Sequence, residues 1–169
     1  MEFLKVQFEE AASVYGDLAK YFIRDEIRDY ADFLEAMHDP AYRILHICKA
    51  GTRVGLVGLW ELSDFIFIEH IAVHPQYREK GYGSNALALL QQKYGKIILE
   101  IEPPTDEDQK RRLNFYTRNG FVQNPYDYIQ PSYRKDGNAL HLKLMSYPQP
   151  LRDIENHIRE IYTTVYRVQ

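Results

Sequence analysis

The sequence predicts an α/β (α+β) protein with a mixed central sheet, flanking helices and one hydrophobic core. Three observations predict this fold class. The 169 residues, of which 45% are hydrophobic, suffice for one well-buried core but not for two ordinary domains. Three strand-like runs with short connections lie in the first half of the chain, which is typical of an antiparallel meander. Helical and strand-like runs then alternate, which is typical of a parallel βαβ unit.

The first 40 residues predict a short strand and an interrupted helix. Residues 3–8 alternate apolar and polar side chains, as a strand with one buried face does. Residues 9–37 lack proline and space apolar side chains three and four apart, which predicts one broken helix or two helices, with the break near residues 22–25. The Asp39-Pro40 pair ends this segment, because proline disfavours helical backbone in the residue before it.

The middle of the chain predicts most of the sheet. Residues 41–49 and 53–62 are apolar runs joined by Ala50-Gly51-Thr52, which indicates a β-hairpin, and a third strand covers residues 65–74. A helix at residues 83–94 and a strand at 96–101 follow. They are succeeded by a helix at 106–119 and by two strands at 120–123 and 139–146. The strands at 65–74 and 96–101 enclose a helix and should therefore be parallel.

Two further segments lie outside this alternation. Residues 124–138 predict a loop, and their three tyrosines slightly favour contact with an acceptor substrate over plain connection. Residues 152–168 space apolar side chains helically. We therefore divide the chain into a main domain, residues 1–150, and an appended C-terminal helix, residues 151–169, which packs on the same domain or on a second subunit of a homodimer.

Composition argues against several classes of protein. A formal net charge of -3 argues against nucleic-acid binding, which needs concentrated positive charge. Cys48 is the single cysteine, so no disulfide forms within the chain, and the first residues show no signal-peptide pattern. No apolar run is long enough to span a bilayer, and the histidines lack a paired metal-ligand spacing. We expect a cytoplasmic protein with no metal and no nucleic-acid or membrane partner.

The most informative stretch covers residues 68–90. An apolar strand-like run leads through a proline-marked turn into a basic, glycine-containing loop and then directly into a helix. Gly81 and Gly83 let the backbone approach a ligand, and the first amides of a helix are free donors, so the loop can bind a phosphate. Arg78 and Lys80 add positive charge at the same place.

Six residues of this stretch form a recognisable signature. The hexapeptide Arg78-Glu79-Lys80-Gly81-Tyr82-Gly83 follows an Ala-Val-His-Pro strand exit and precedes an apolar helix. It resembles motif A of the GNAT superfamily of acyl-CoA N-acyltransferases, which reads Gln or Arg, two residues, Gly, one residue, and Gly or Ala. The resemblance implies the GNAT fold and acetyl-CoA as the acyl donor. It also implies that the pyrophosphate of CoA binds the backbone amides of Arg78, Glu79, Lys80, Gly81, Tyr82, Gly83 and Ser84.

The resemblance also implies a site for the rest of the cofactor. In this family the strand before the loop splays from its parallel neighbour and exposes a backbone edge. Ile71, Ala72 and Val73 should offer this edge to the peptide-like pantetheine arm. A backbone amide there would face the thioester oxygen and stabilise its developing negative charge.

Glu69 is the candidate general base. It lies two residues before Ile71 and four before Val73 on the strand. Because alternate side chains of a strand point to the same face, all three should face one side. An amine acceptor is cationic at pH 7, so a group that removes its proton is useful. Glu69 occupies what looks like the place of a histidine in serotonin N-acetyltransferase, a family member. The alternative is a carboxylate on a solvated strand face.

A second segment, RLNFYTRNGFV at residues 112–122, resembles motif B of the same family. Asn114 matches the asparagine that hydrogen-bonds the pantetheine arm. Tyr116 matches the tyrosine that protonates the departing CoA thiolate. Without motif A upstream, the helical spacing of Tyr116 would indicate a core residue.

Two alternatives accompany this interpretation. Gly81, Gly83 and Ala86 also satisfy the dinucleotide-binding pattern G-x-G-x-x-A, but seven residues separate the first glycine from the strand, whereas the Rossmann fold places it immediately after. We therefore expect an N-acetyltransferase whose small-molecule or peptide amine acceptor attacks acetyl-CoA directly. The other function that fits the fold is a catalytically silent acyl-CoA-binding regulatory module.

Overall fold

A mixed β-sheet of eight strands organises the computed structural model, which describes residues 1–168. The strands are β1 (Glu2–Lys5), β2 (Tyr42–Lys49), β3 (Thr52–Glu61), β4 (Ile66–Val73), β5 (Ile97–Ile101), β6 (Val122–Gln123), β7 (Tyr128–Gln130) and β8 (Leu140–Tyr147). The α-helices are α1 (Ala11–Tyr21), α2 (Tyr30–His38), α3 (Tyr82–Tyr94), α4 (Glu107–Arg118) and α5 (Ile154–Thr164). None of the helices in this part of the chain is both long and apolar enough to cross a membrane.

The strand order confirms the predicted mixed sheet. It runs β1-β2-β3-β4-β5-β8-β6, and β7 pairs with β8 beside this path. The first four strands form the expected antiparallel meander, and β4 and β5 are the predicted parallel pair. The hairpin between β2 and β3 turns at Ala50 and Gly51, which both have positive φ. Two such residues build the type I′ turn that matches the twist of paired strands.

Two hydrophobic clusters cover the two faces of the sheet. The strand β4 contributes to both, because Phe67 packs into the cluster with α1, α2 and α5, whereas Ile66 and Ile68 pack into the cluster with α3 and α4. We call these the α1/α2 face and the α3/α4 face. Such alternation is what a central strand with both faces covered requires.

The structure differs from the sequence prediction mainly in three short elements that the sequence pattern does not reveal. Residues 8–10, expected partly in the first strand, form a 3-10 turn that leads into α1. The expected break between the first two helices holds another 3-10 turn, Arg24–Glu26. The predicted loop at 124–138 contains β7, which buries Tyr128 and Gln130 against the sheet while Ile129 points outward. Proline at both ends of this short strand hides its pattern in the sequence.

The C-terminal helix α5 packs on the α1/α2 face. Ile154 and Ile161 of α5 are buried in that cluster, as are Val165 and Tyr166 immediately after the helix. The exposed residues of α5 are polar, namely Glu155, Asn156, Arg159 and Thr163, so the helix is amphipathic in the usual way.

Truncation of Ile161 tests whether α5 belongs to the folding unit. The side chain is fully buried, so Ile161→Ala should lower the free energy of unfolding by about 2–5 kcal/mol. Urea denaturation measures this change. The control is Glu155→Ala, a substitution at an exposed position of the same helix. Its free energy of unfolding should stay within about 0.5 kcal/mol of the wild-type value. Equal stability of the two variants would contradict the packing of α5.

Candidate active site

A cleft opens where β4 and β5 separate. The two strands pair only between Ile66–Ile68 and Ile97–Leu99. Beyond this point β4 stays paired with β3 as far as Val73, and β5 stays paired with β8 as far as Ile101. Within residues 1–168, the β4 backbone at 69–73 therefore has no strand partner on the β5 side, and a cavity of about 740 Å³ lies between the two strands.

A β-bulge at Glu69 marks the point of separation. Gly58 of β3 lies opposite His70 and Leu59 lies opposite Ile68, so Glu69 has no partner residue on β3. A bulge bends its strand and changes the direction of the side chains around it. Separation of β4 from β5 therefore begins at the residue where the regular ladder is interrupted.

The bulge shows that one expectation from the sequence was wrong. Glu69 and Ile71 do not face the same side of the sheet. Ile71 packs against the cluster on the α3/α4 face, whereas Glu69 bonds to Tyr133, which packs against the cluster on the α1/α2 face. The extra residue at the bulge interrupts the period of two on which the expectation rested.

The loop after β4 presents backbone donors to one side of the cleft. A 3-10 turn, Pro75–Tyr77, is followed by two left-handed residues, Glu79 at φ 63° and Gly81 at φ 76°. The helix α3 begins after Gly81 without a side-chain cap. Its first amides therefore remain available to an anion, which the helix dipole also favours. Arg78 is held beside them by a 3.2 Å hydrogen bond from its Nε to the carbonyl of Val73.

Gly83 has a packing role in addition to the predicted one. A Cβ atom at this position would lie 3.1 Å from Cζ of Phe115 and 3.8 Å from Cγ2 of Val73. The glycine thus allows α3 to approach α4 closely. A large substitution at Gly83 would disturb this packing together with any ligand bound to the loop.

Tyr116 lines the cleft on the same α3/α4 face as the loop. Its side chain lies on α4, packs against the rings of Phe115 and Phe121, and is only 8% exposed. Burial raises the pKa of Tyr116 to about 12, so the hydroxyl keeps its proton at neutral pH.

Most of the predicted site residues meet at this cleft. Those that line it are Glu69, Ile71, Ala72, Val73, Arg78, Glu79, Gly81, Tyr82, Gly83, Ser84 and Tyr116. Within residues 1–168, the other two predicted site residues do not line the cleft. Lys80 is exposed with its Nζ 5.6 Å from the centre of the Tyr77 ring, and Asn114 is exposed on α4. Their predicted cofactor contacts stay predictions.

The family follows from a comparison of the sequence with family models. The model described as "Acetyltransferase (GNAT) family" matches residues 11–121, which is more than half of the chain. This chain belongs to the GNAT family. The matched range contains β2 to β5, the loop before α3, and Tyr116 of α4.

Individual GNAT proteins resemble the chain to different extents. "Putative acetyltransferase YjbC" of Bacillus subtilis (strain 168) is 32% identical over 109 residues, which cover 63% of this chain and 55% of that protein. The match thus spans about half the length of this curated relative. A solved structure from Bacteroides thetaiotaomicron, named "Putative acetyltransferase from GNAT family", is 28% identical with a TM-score of 0.91, and the match covers 100% of both chains.

More distant GNAT structures share the fold. A spermidine N-acetyltransferase SpeG chimera from Vibrio cholerae and hSSAT is 16% identical with a TM-score of 0.62, covering 86% of this chain and 94% of that one. The ribosomal-protein-S18-alanine N-acetyltransferase of Escherichia coli is also 16% identical, with a TM-score of 0.59, and the match covers 89% and 94% of the two chains.

In this GNAT protein Glu69 is held in a buried ion pair. Nη2 of Arg28 lies 2.6 Å from its Oε1, and the side chains are 8% and 1% exposed. The hydroxyl of Tyr133 donates to the same oxygen at 2.9 Å. Burial alone would raise the pKa of Glu69, but the charge of Arg28 outweighs burial and holds the pKa below its usual value. Glu69 is therefore an anion at neutral pH.

Glu100 is a site residue that sequence reasoning missed. It lies on β5, lines the cleft, and accepts hydrogen bonds from the hydroxyls of Tyr128 and Tyr166. Burial raises the pKa of Glu100 to about 7, although the two hydroxyls act in the opposite direction. The available signal was a single carboxylate within the apolar run of β5.

Glu26 completes the acidic side of the cleft. It ends the 3-10 turn between α1 and α2, and its carboxylate accepts a 3.3 Å hydrogen bond from the amide of Ile23. Burial, followed by the neighbouring charge of Glu102, raises the pKa of Glu26. No sequence motif marks this residue, because its position depends on how the broken helix folds over the sheet.

The raised pKa of Glu100 predicts a pH-dependent stability. The folded protein binds this proton more tightly than the unfolded chain, whose glutamate pKa is about 4.3. The stabilisation from protonated Glu100 is therefore complete below about pH 4.3 and is lost as the pH rises to about 7. Glu100→Gln removes this titration. Relative to wild type, its free energy of unfolding should rise by about 3 kcal/mol across that interval.

Urea denaturation of both proteins at several pH values measures the effect. Glu155→Gln makes the same chemical change at an exposed position of α5. Its free energy of unfolding should differ from that of wild type by the same amount at every pH. A pH-independent difference between Glu100→Gln and wild type would mean that Glu100 does not titrate near neutrality.

Proposed function

We propose that this protein transfers the acetyl group of acetyl-CoA to a primary amine of a small molecule or peptide, by direct attack in a ternary complex. The observation that carries this proposal is the cleft between β4 and β5, which has an uncapped helix start on one side and buried carboxyls on the other. Two ligands can therefore approach β4 from opposite faces of the sheet and meet at its unpaired edge.

The α3/α4 face suits acetyl-CoA. The pyrophosphate would bind the free amides from Gly81 to Ser84, with Arg78 beside it. The pantetheine arm would pair with the free backbone edge of β4 at 69–73, as a peptide adds to an open sheet. A β4 amide next to the bulge would then donate to the thioester oxygen and stabilise the tetrahedral intermediate.

The α1/α2 face suits the amine. An amine with a pKa near that of lysine, about 10.4, must lose a proton before it can attack, which costs about 4.6 kcal/mol at pH 7. The sequence suggested Glu69 for this step, but its pairing with Arg28 makes it a weak proton acceptor. We propose that Glu100 takes the proton, because its pKa of about 7 matches the working pH. Glu69 then serves as a fixed anion beside the ammonium.

Collapse of the intermediate breaks the carbon–sulfur bond. The electrons leave with the CoA thiolate, whose conjugate acid resembles a cysteine thiol with a pKa of about 8.5. Tyr116 lines the cleft from the cofactor side and is protonated at neutral pH, so it can donate a proton to this sulfur. The nitrogen loses its second proton as the amide forms, and this proton restores the phenolate of Tyr116 directly or through solvent. Glu100 passes the first proton to solvent, so one proton is released in each turnover.

Binding of the pyrophosphate can be tested at Ser84, which lines the cleft in the first turn of α3. CoA at a hundred times its dissociation constant should stabilise wild type by about 2.7 kcal/mol, seen as a rise in melting temperature. Ser84→Glu places a negative charge beside the phosphates and should abolish this rise. Gln92→Glu adds the same charge to an exposed position farther along α3 and should preserve it. A shift with NAD but none with CoA would contradict the proposal.

Catalysis can be tested at Tyr116. The change Tyr116→Phe removes only the hydroxyl, so kcat for release of CoA thiol should fall by about 10- to 1,000-fold with an amine taken from a screened pool. The CoA melting shift should change little, because one neutral hydrogen bond contributes about 1 kcal/mol. Tyr126→Phe, at an exposed position away from the cleft, should keep full activity.

The same measurements separate an enzyme from a silent binding module. A silent module would show the CoA melting shift but no thiol release with any amine, in wild type as in the variant. Full activity of Tyr116→Phe would leave the transferase proposal in place but exclude Tyr116 as the proton donor.

A further inference from the structure

The cleft is lined by more carboxyls than its arginines pair with directly. Its lining includes five carboxyls, those of Glu26, Glu69, Glu79, Glu100 and Glu102, and three guanidinium groups, those of Arg78, Arg112 and Arg118. Glu69 is paired with Arg28, and Glu102 is paired with Arg112. Among residues 1–168, Glu26 and Glu100 make no salt bridge, and their hydrogen-bond partners are uncharged.

The neighbouring histidine does not supply a further positive charge. His70 lies beside Glu69, and burial lowers the pKa of His70, so its ring is neutral at pH 7. The charge of Arg112 acts on Glu26 through space, but the guanidinium of Arg112 is paired with Glu102. Partly buried carboxyls without a paired cation are costly unless a ligand supplies positive charge.

A second observation points to a missing donor. Oε2 of Glu69 is buried, and no residue in the described part of the chain donates a hydrogen bond to it. Its side chain is 1% exposed, yet the residue lines the cleft. Buried carboxylate oxygens are normally hydrogen-bonded, so an unpartnered one beside a cavity is a place where an ammonium group can donate.

The geometry points to an acceptor that carries two positive charges joined by an apolar chain, namely a diamine. This inference rests on the proposed function. One amine reacts next to Glu69 and Glu100, and the second ammonium is held by Glu26. Phe22 and Tyr21 line the cleft beside Glu26, so methylene groups can pack on the rings and the ammonium can face them.

A matched set of amines tests this inference on the wild-type enzyme. Butylamine, 1,4-diaminobutane and 4-aminobutanoate share the reacting amine and the chain length but end in a methyl, an ammonium and a carboxylate. Release of CoA thiol should give a kcat/KM about 10- to 100-fold higher for the diamine than for butylamine, because a charged hydrogen-bonded pair contributes about 1.5–3 kcal/mol. The aminobutanoate should be the poorest. Longer and shorter diamines extend the series if this chain does not span the two sites.

The variant Glu26→Gln locates the second charge. It should lower the ratio of kcat/KM for diamine over butylamine to within about threefold of unity, mainly through KM of the diamine, because one charged pair is lost. Glu155→Gln removes an equal charge from the exposed face of α5 and should keep the wild-type ratio. A variant that fails to fold does not affect the wild-type series, which tests the diamine preference alone.

Each outcome has a distinct meaning. Equal kcat/KM for diamine and butylamine in wild type, or an unchanged ratio in Glu26→Gln, would overturn the diamine inference and leave the acetyltransferase intact. If the enzyme acetylated other amines but none of the diamines, the diamine inference would also be overturned and the acetyltransferase proposal would remain. Absence of both the CoA melting shift and thiol release with every amine would instead overturn the proposed function.

Discussion

The buried pair of Arg28 and Glu69 is the constraint on which the cleft depends. Arg28 also donates to the carbonyl of Val165 at 2.8 Å and lies over the rings of Trp60 and Tyr133. A buried pair adds little net stability, but removing one partner leaves a charge alone and costs about 3–5 kcal/mol. The bulge, the loop before α2 and the C-terminal segment are therefore fixed to one another.

Two buried carboxyls on neighbouring strands hold their protons differently because their partners differ. Glu69 faces a guanidinium and stays ionised, whereas Glu100 faces the hydroxyls of Tyr128 and Tyr166 and keeps its proton up to about pH 7. Pairs of carboxyls with separated pKa values are how active sites obtain a fixed charge and an exchangeable proton together. The cleft thus contains one fixed negative charge and one carboxyl that exchanges its proton near neutral pH.

The sequence predicts the parts of this arrangement that depend on local patterns. The meander, the βαβ unit and the glycine loop before α3 follow from periodicity, turn residues and a short motif, all within a few neighbouring residues. The bulge at Glu69 is not predictable in this way, because it depends on Gly58 and Leu59 of another strand. Glu100 was missed for the same reason. Its partner Tyr166 is 66 residues away along the chain.

Some of the hydrogen-bond donors to the carboxyls of the cleft lie beyond the range matched by the family model. The match ends at residue 121, and it includes the strands and the loop assigned to the cofactor. Tyr128, Tyr133 and Tyr166, which bond to Glu100 and Glu69, all follow that residue. A change in the C-terminal region could therefore alter the proton affinity of Glu100 without touching the loop before α3. Under the proposed function, such a division would let one cofactor site serve different acceptors, because the residues that bond to Glu100 could vary separately from that loop.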